Sequence, residues 1–151
     1  MKPNEGRLQT GEHILAKIIE NKFEDARVVI AKFEKENEGN VDFSSSEDLR
    51  QLNKEELEKE VNGIISRNIE VTKTVYRREE VDKDFDLSKI PASVDKIRIV
   101  EVKDFDKRPC KDPHVDNTQE IGYFHILKIE RVGKDRYRIV FRIREEVITS
   151  N

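Results

Sequence analysis

Pro109-Cys110-Lys111-Asp112-Pro113-His114, followed after two residues by Asn117-Thr118-Gln119-Glu120-Ile121-Gly122, is the stretch on which the reading of this chain turns. It holds the only cysteine and one of only three histidines. Cys110 and His114 stand four apart with Pro113 between them. A thiolate and an imidazole held by one short, stiff loop are two soft donors of the kind zinc favours. A lone cysteine has no partner for an intrachain disulfide, so three options stand: metal binding, nucleophilic chemistry or plain burial.

The rest of the chain sets the frame for that loop. Its 151 residues are a usual size for one domain, expected here over 1–151, and enough to bury a core without covalent staples. Charged residues make up 40% and hydrophobic residues 35%, a Lys/Glu-rich balance common in heat-adapted proteins. A formal net charge of −3 excludes the global basic field of a DNA binder, so no DNA partner is expected. Local basic clusters remain available for phosphates. No apolar run approaches the ~20 residues that span a bilayer, so no membrane partner is expected either. Met1-Lys2-Pro3-Asn4-Glu5 lacks a signal-peptide core. The expected location is the cytoplasm, where a thiol stays reduced.

Residues 10–23 read as a helix, with Thr10 as cap, Glu12 complementing the N-terminal dipole, and a stripe of Ile14, Leu15, Ile18, Ile19 and Phe23. Residues 26–33 read as a strand, 34–40 as a turn and Val41-Asp42-Phe43 as the returning strand. A second helix is capped by Asn53, has Glu56 at its third position and repeats Leu57, Val61, Ile64 and Ile65, fading near Asn68. Residues 69–76 and 96–103 alternate as strands, with 79–87 a short helix or loop between them. The Cys110 loop follows directly. Residues 122–132 and 136–144 are long strands joined by the turn Gly133-Lys134-Asp135. The sum is an α+β fold: two main helices on a mostly antiparallel sheet of about six strands.

A further donor lies in Gln9-Thr10-Gly11-Glu12-His13-Ile14-Leu15. His13 is either a helix-surface histidine or a third ligand. Three protein ligands with one open position are the layout of a catalytic zinc rather than a structural one.

These motifs together resemble the alanyl-tRNA synthetase editing domain and its free-standing AlaX relatives, the threonyl/alanyl-tRNA synthetase second additional domain. QTGEHIL is similar to the family's His-x-x-x-His motif. PCKDPHVDNTQEIG is similar to its Cys-x-x-x-His string with the trailing Glu-Ile-Gly. Glu58-Lys59-Glu60-Val61-Asn62-Gly63-Ile64-Ile65 resembles the family's E-x-x-x-N-x-I-I helix, and the terminal hairpin resembles its closing one. The resemblance spans nearly the whole chain. It implies a free-standing trans-editing hydrolase that deacylates mischarged tRNA, with serine or glycine on alanine tRNA as substrates and the tRNA acceptor end as partner. It implies a Zn2+ site of His13, Cys110 and His114. The family's first histidine is replaced by Gln9, a weak zinc donor, so water, substrate or Gln9 is left to complete the sphere. Whether the zinc orients substrate or activates a bound water stays open. Gln9 also keeps an alternative alive: a non-catalytic tRNA-binding or interaction module with a degenerate metal site. Lys111-Asp112-Pro113 stands where synthetase-linked members carry Gly-Gly-Thr, which implies altered approach to the substrate.

Other residues have plainer readings beside functional ones. His125 shares a strand face with Tyr123 and Leu127 and is expected to be packed or exposed rather than a ligand. Lys17 is a solvated lysine or a phosphate contact, and Asp112 and Glu120 are loop carboxylates or partners of a ligand imidazole. Arg77-Arg78, Lys107-Arg108 and the row Arg136, Arg138, Arg142, Arg144 are charged faces or phosphate contacts.

Overall fold

The computed structural model describes residues 4–144. Among them, helices α1 (Glu5–Lys22) and α2 (Lys54–Ile65) pack with two antiparallel sheets, an α+β fold as expected. The stripe Ile14, Leu15, Ile18, Ile19 and Phe23 is buried. Helix α1 starts at Glu5, however, and not at Thr10. Leu8, fully buried, extends the apolar stripe by two turns relative to Leu15. Gly6 lets the extension pack closely: a Cβ there would sit a tight 3.3 Å from the backbone carbonyl carbon of His114. Thr10 therefore lies inside the helix and caps nothing, and Glu12 is buried mid-helix instead of serving the N-terminal dipole.

The first sheet runs β1-β2-β7-β6. Strands β1 (Arg27–Lys32) and β2 (Glu38–Ser44) form the expected hairpin, as do β6 (Tyr123–Gly133) and β7 (Arg136–Arg144). β2 begins at Glu38 because residues 38–40 pair with Val140–Arg142 of β7, a long-range register that hydrophobic alternation within 34–40 does not reveal. The inner face of this sheet presents Val41, Phe43, Phe124, Ile126, Ile139 and Phe141 to the helices, all fully buried. Asp135, at φ 53°, takes the left-handed position of the β6–β7 turn.

The second sheet, β3-β4-β5, contains β3 (Val71–Arg77), β4 (Lys96–Val102) and β5 (Asp106–Pro109). β5 brings the count to seven strands among the described residues, and it occupies what the sequence reads as the start of the Cys110 loop. Its residues Asp106-Lys107-Arg108-Pro109 carry no apolar alternation, so pairing with β4 alone defines it. Ile99 faces Pro109 across that pair, and the Cys110 N–H continues to the Arg98 carbonyl at 3.0 Å. Cys110 is thus the first residue past a strand, not the middle of a free loop. Residues 79–87 hold only a 3-10 turn at Arg78–Glu80. The rest is a loop wound on Arg78, whose guanidinium donates to the carbonyls of Leu87, Ile90, Pro91 and Val94. Among the described residues no helix is long and apolar enough to cross a membrane.

The helix motif Glu58…Asn62 has a physical role: it covers the outer edge of β6. Asn62 accepts from the Phe124 N–H at 2.9 Å and donates to the Phe124 carbonyl at 2.8 Å. Glu58 accepts from the Ile126 N–H at 2.8 Å and pairs with His125 Nδ1 at 2.7 Å. An uncovered strand edge is a template for misassembly, and here two helix side chains close it. Asn62→Ala strips both partners from the backbone of a buried strand residue. It is expected to cost about 1–3 kcal/mol, read as a lower urea midpoint at unchanged slope. Burial pushes the Glu58 carboxyl up, but hydrogen bonds from Tyr123 and Ile126 and the charge of His125 outweigh it and hold the group below its ordinary value. A depressed carboxylate stabilises the fold above its unfolded pKa of about 4.3, and that contribution is lost as pH falls through the folded value. Acid unfolding of Glu58→Gln should accordingly be less steep below about pH 4.3 than that of the wild type.

Candidate metal centre

The end of β5 and the loop after it are pinned from one side by Arg98 of β4. Its Nη1 donates to the carbonyl of Asp112 at 2.7 Å and to that of Cys110 at 3.3 Å. From the other side α1 packs against the His114 backbone at Gly6. Beyond His114 the chain is fixed by Thr118, whose hydroxyl donates to the Ile65 carbonyl and accepts from the Ile69 N–H, each at 2.9 Å. A capping box of Asn117 and Glu120 then opens the 3-10 turn Thr118–Ile121. The Glu120 carboxylate is spent on the N–H groups of Asp116 and Asn117, so it does not support a ligand imidazole.

This scaffold brings His13, Cys110 and His114 together, with one donor atom from each within 4.8 Å of the others. His114 Nε2 lies 3.4 Å from Cys110 Sγ. The rings of His13 and His114 meet edge to face at 4.4 Å between centroids. In a tetrahedral zinc site, bonds of about 2.05 Å to nitrogen and 2.3 Å to sulfur set those atoms about 3.6 Å apart, close to the spacing seen. His13 Nδ1 is buried and lacks a hydrogen-bond partner among the described residues, an uncompensated cost that a ligand would remove.

The electrostatics suit metal donors. Burial, then the neighbouring His114 and Arg108, hold His13 well below the ordinary imidazole value. Burial, with Arg98 and Lys73, brings His114 down to about 3. Both rings are therefore neutral and keep a lone pair at neutral pH. Burial pushes the Cys110 thiol up to about 11, and the charges of Asp112 and Glu12 add to it. The thiol is thus a weak nucleophile without a cation beside it, and metal binding must expel its proton. These residues fit a zinc ion.

The remaining candidates fall into place around this centre. Gln9 is buried one helical turn before His13, on the same side of α1. Asp112 lies 3.6 Å from Cys110 Sγ through Oδ2, close to the cluster. His125 is half-buried against Glu58, away from it. Arg108 is already occupied: it is bound bidentately by Glu20 at 2.7 and 2.9 Å and by Asp106 at 2.9 Å. Arg77 pairs with Glu79 and Glu80, and Arg138 with Asp42. Arg136, Arg142 and Arg144 remain exposed. Lys17 and Lys107 share a shallow groove with Glu101, Asp104 and Asp106. Sequence reasoning missed Arg98, Thr10 and the cluster of Glu12 with Arg108. The even parity of Arg98 with Val100 and Val102 was the signal that it points inward. A cleft of about 330 Å³ opens beside Cys110, walled by Ile90, Pro91, Val94 and Ile97, with Lys89 and Lys111 exposed at its border.

Residues 97–140 match the threonyl and alanyl tRNA synthetase second additional domain. That stretch is the segment of the chain that resembles the domain. Over 145 residues, 91% of its length, it is 32% identical to the alanyl-tRNA editing protein AlaX-M of Saccharolobus solfataricus. Over 146 residues it is 31% identical to the alanyl-tRNA editing protein AlaX-L of Pyrococcus horikoshii. A shorter match, 32% over 97 residues, links it to the alanine–tRNA ligase of Methanococcus vannielii. The chain spans 58% of the length of the first of these relatives and 33% of the second.

Proposed function

We propose that this chain is a zinc-dependent aminoacyl-tRNA deacylase that edits mischarged tRNA, with serine or glycine esterified to alanine tRNA as substrate. The observation that carries the reading is the convergence of His13, Cys110 and His114 beside the cleft under Ile90 and Pro91. The editing activity named for the AlaX relatives supports it. In the reaction, water adds to the ester carbonyl and the bond to the ribose oxygen breaks. Free amino acid and uncharged tRNA result.

His13, Cys110 and His114 would hold the zinc, and Arg98 fixes the loop that carries two of them. When bound, a zinc ion with an open position supplies Lewis acidity to an oxygen of the reacting ester or of water. The apolar cleft takes the terminal part of the charged tRNA out of bulk water, while Lys111 meets phosphate. A pocket for a small side chain rejects near-isosteres poorly by binding alone, which is why a separate hydrolytic check is useful. Lys111-Asp112-Pro113 narrows backbone access where relatives of the resembled pattern carry glycines, and so sets selectivity. The compartment in which charged tRNA is used, the cytoplasm, is the working location.

A panel of mischarged tRNAs, incubated with and without a chelator, tests this. Serine and glycine esters on alanine tRNA should be hydrolysed, and chelation should stop it. If both esters survive enzyme in excess while zinc is bound, the substrate assignment is wrong. Gln9 favours one second reading, a tRNA-binding module without activity. That reading predicts binding of the acceptor end with neither zinc nor turnover.

A further inference from the structure

Residues 79–95 leave the second sheet after β3 and return to it at β4. Past the turn at Arg78–Glu80 they form no helix or strand. The two ends of this excursion meet: the Arg78 N–H donates to the Asp95 carbonyl at 2.6 Å, beside the Arg77–Lys96 pair that closes the β3–β4 ladder. A loop of this length without its own ladder needs another source of order, and such loops commonly serve binding or catalysis. Here one side chain is that source. Arg78 Nη1 donates to the carbonyls of Pro91 and Val94 at 2.8 and 3.0 Å, and Nη2 to those of Ile90 and Leu87 at 3.1 and 3.4 Å. Ile90, Pro91 and Val94 are also residues that wall the cleft beside Cys110. The far side of the loop is tied to the first sheet. β1 bulges between Val28 and Ile30, and Lys89 Nζ donates to the carbonyls of Val28 and Val29 there, at 3.3 and 3.2 Å.

We infer that Arg78 is a positioning residue: its guanidinium fixes the shape of residues 87–94, and thereby the apolar wall that grips substrate beside the Cys110 loop. The hold on the wall is independent of the reaction, whereas its kinetic consequence rests on the deacylase reading. A guanidinium presents its donors in a rigid, planar, charged fork, which suits four carbonyls gathered around one loop. A lysine ammonium carries three donors on a single atom and cannot span the same set. The wall meets substrate alike before and during ester cleavage. Its loss removes binding shared by the ground and transition states, so KM rises while kcat changes little. A role confined to fold stability would instead lower the fraction of active protein, and with it kcat, at unchanged KM.

The test uses the full chain with Arg78→Ala and Arg78→Lys. Amide hydrogen exchange over residues 87–94 should quicken about 10-fold or more in Arg78→Ala, while α1 and α2 stay as protected as in the wild type. Arg78→Lys should lie between the two. With serine esterified to alanine tRNA as substrate, KM should rise about 10-fold in Arg78→Ala, with kcat and zinc content within about twofold of the wild type. Unchanged exchange over 87–94 in Arg78→Ala overturns the inference, and so does faster exchange with KM unchanged. Wild-type exchange and KM in Arg78→Lys overturn it as well, because charge alone would then suffice. If Arg78→Ala does not fold, Arg78→Lys carries the same comparison. Should the wild type hydrolyse neither the serine nor the glycine ester, the deacylase reading fails, and exchange over 87–94 still decides whether Arg78 holds the wall.

Discussion

Replacing Cys110 with alanine is expected to strip zinc from the protein, and with it the response of the fold to chelator. The cluster has three donors, and only Cys110 brings a negative charge when ligated. Loss of an outer partner alone costs 10- to 100-fold in affinity, so loss of the thiolate should weaken binding by more than about 100-fold. Elemental analysis should find about one zinc per wild-type chain and none in Cys110→Ala. A ligand held at 1,000 times its dissociation constant stabilises the native state by about 4 kcal/mol. Wild-type Tm should therefore drop when zinc is removed, and the variant's Tm should not move. Equal zinc content in both proteins, or a wild type indifferent to chelator, would remove the metal centre from consideration.

The second large effect is expected at Arg108. Burial raises Glu12 to about 7 and raises Asp106, and Arg108 is the cation that lowers both. Glu20 on α1 binds the same guanidinium from above. Arg108→Met leaves three carboxylates around an apolar side chain. Breaking a buried ion pair from one side costs about 3–5 kcal/mol. Partial exposure of Glu20 and Arg108 places this case near the lower end, about 3 kcal/mol, read by denaturant unfolding. Adding Asp106→Asn and Glu20→Gln should return a substantial part of that stability, because neutral groups no longer need the cation. A triple variant as unstable as the single one would show that packing of the long arginine stem, and not charge, is what matters there.

Much of this was legible beforehand, for identifiable reasons. Helix stripes and hairpins declare themselves through local periodicity, so α2, both hairpins and the buried faces were read directly. The proximity of His13, Cys110 and His114 was legible because rare residue types recur at fixed spacing within a recognisable pattern. What stayed hidden depends on distant pairing. β5 has no apolar signature and exists because Ile99 lies opposite Pro109. Thr10 resembles a cap because Ser and Thr are common at helix starts, yet Leu8 and Gly6 carry the helix further back. Arg78 and Arg108 look like phosphate contacts in a row of charges, and only the fold shows that carbonyls and carboxylates already occupy them.

The pairing of β2 with β7 also bears on how the molecule is made. Asn40 to Ser44 pairs with β1 at once, but Glu38 to Ser44 completes its pairing only against Arg136 to Arg142, about a hundred residues later. A ribosome extends a chain at about 5–20 residues per second, so the first hairpin waits roughly 5–20 s for its neighbour. During that interval Val41 and Phe43, fully enclosed in the finished protein, lack their cover. The β1–β2 hairpin is thus exposed until β7 emerges, and the four-stranded sheet cannot close before then.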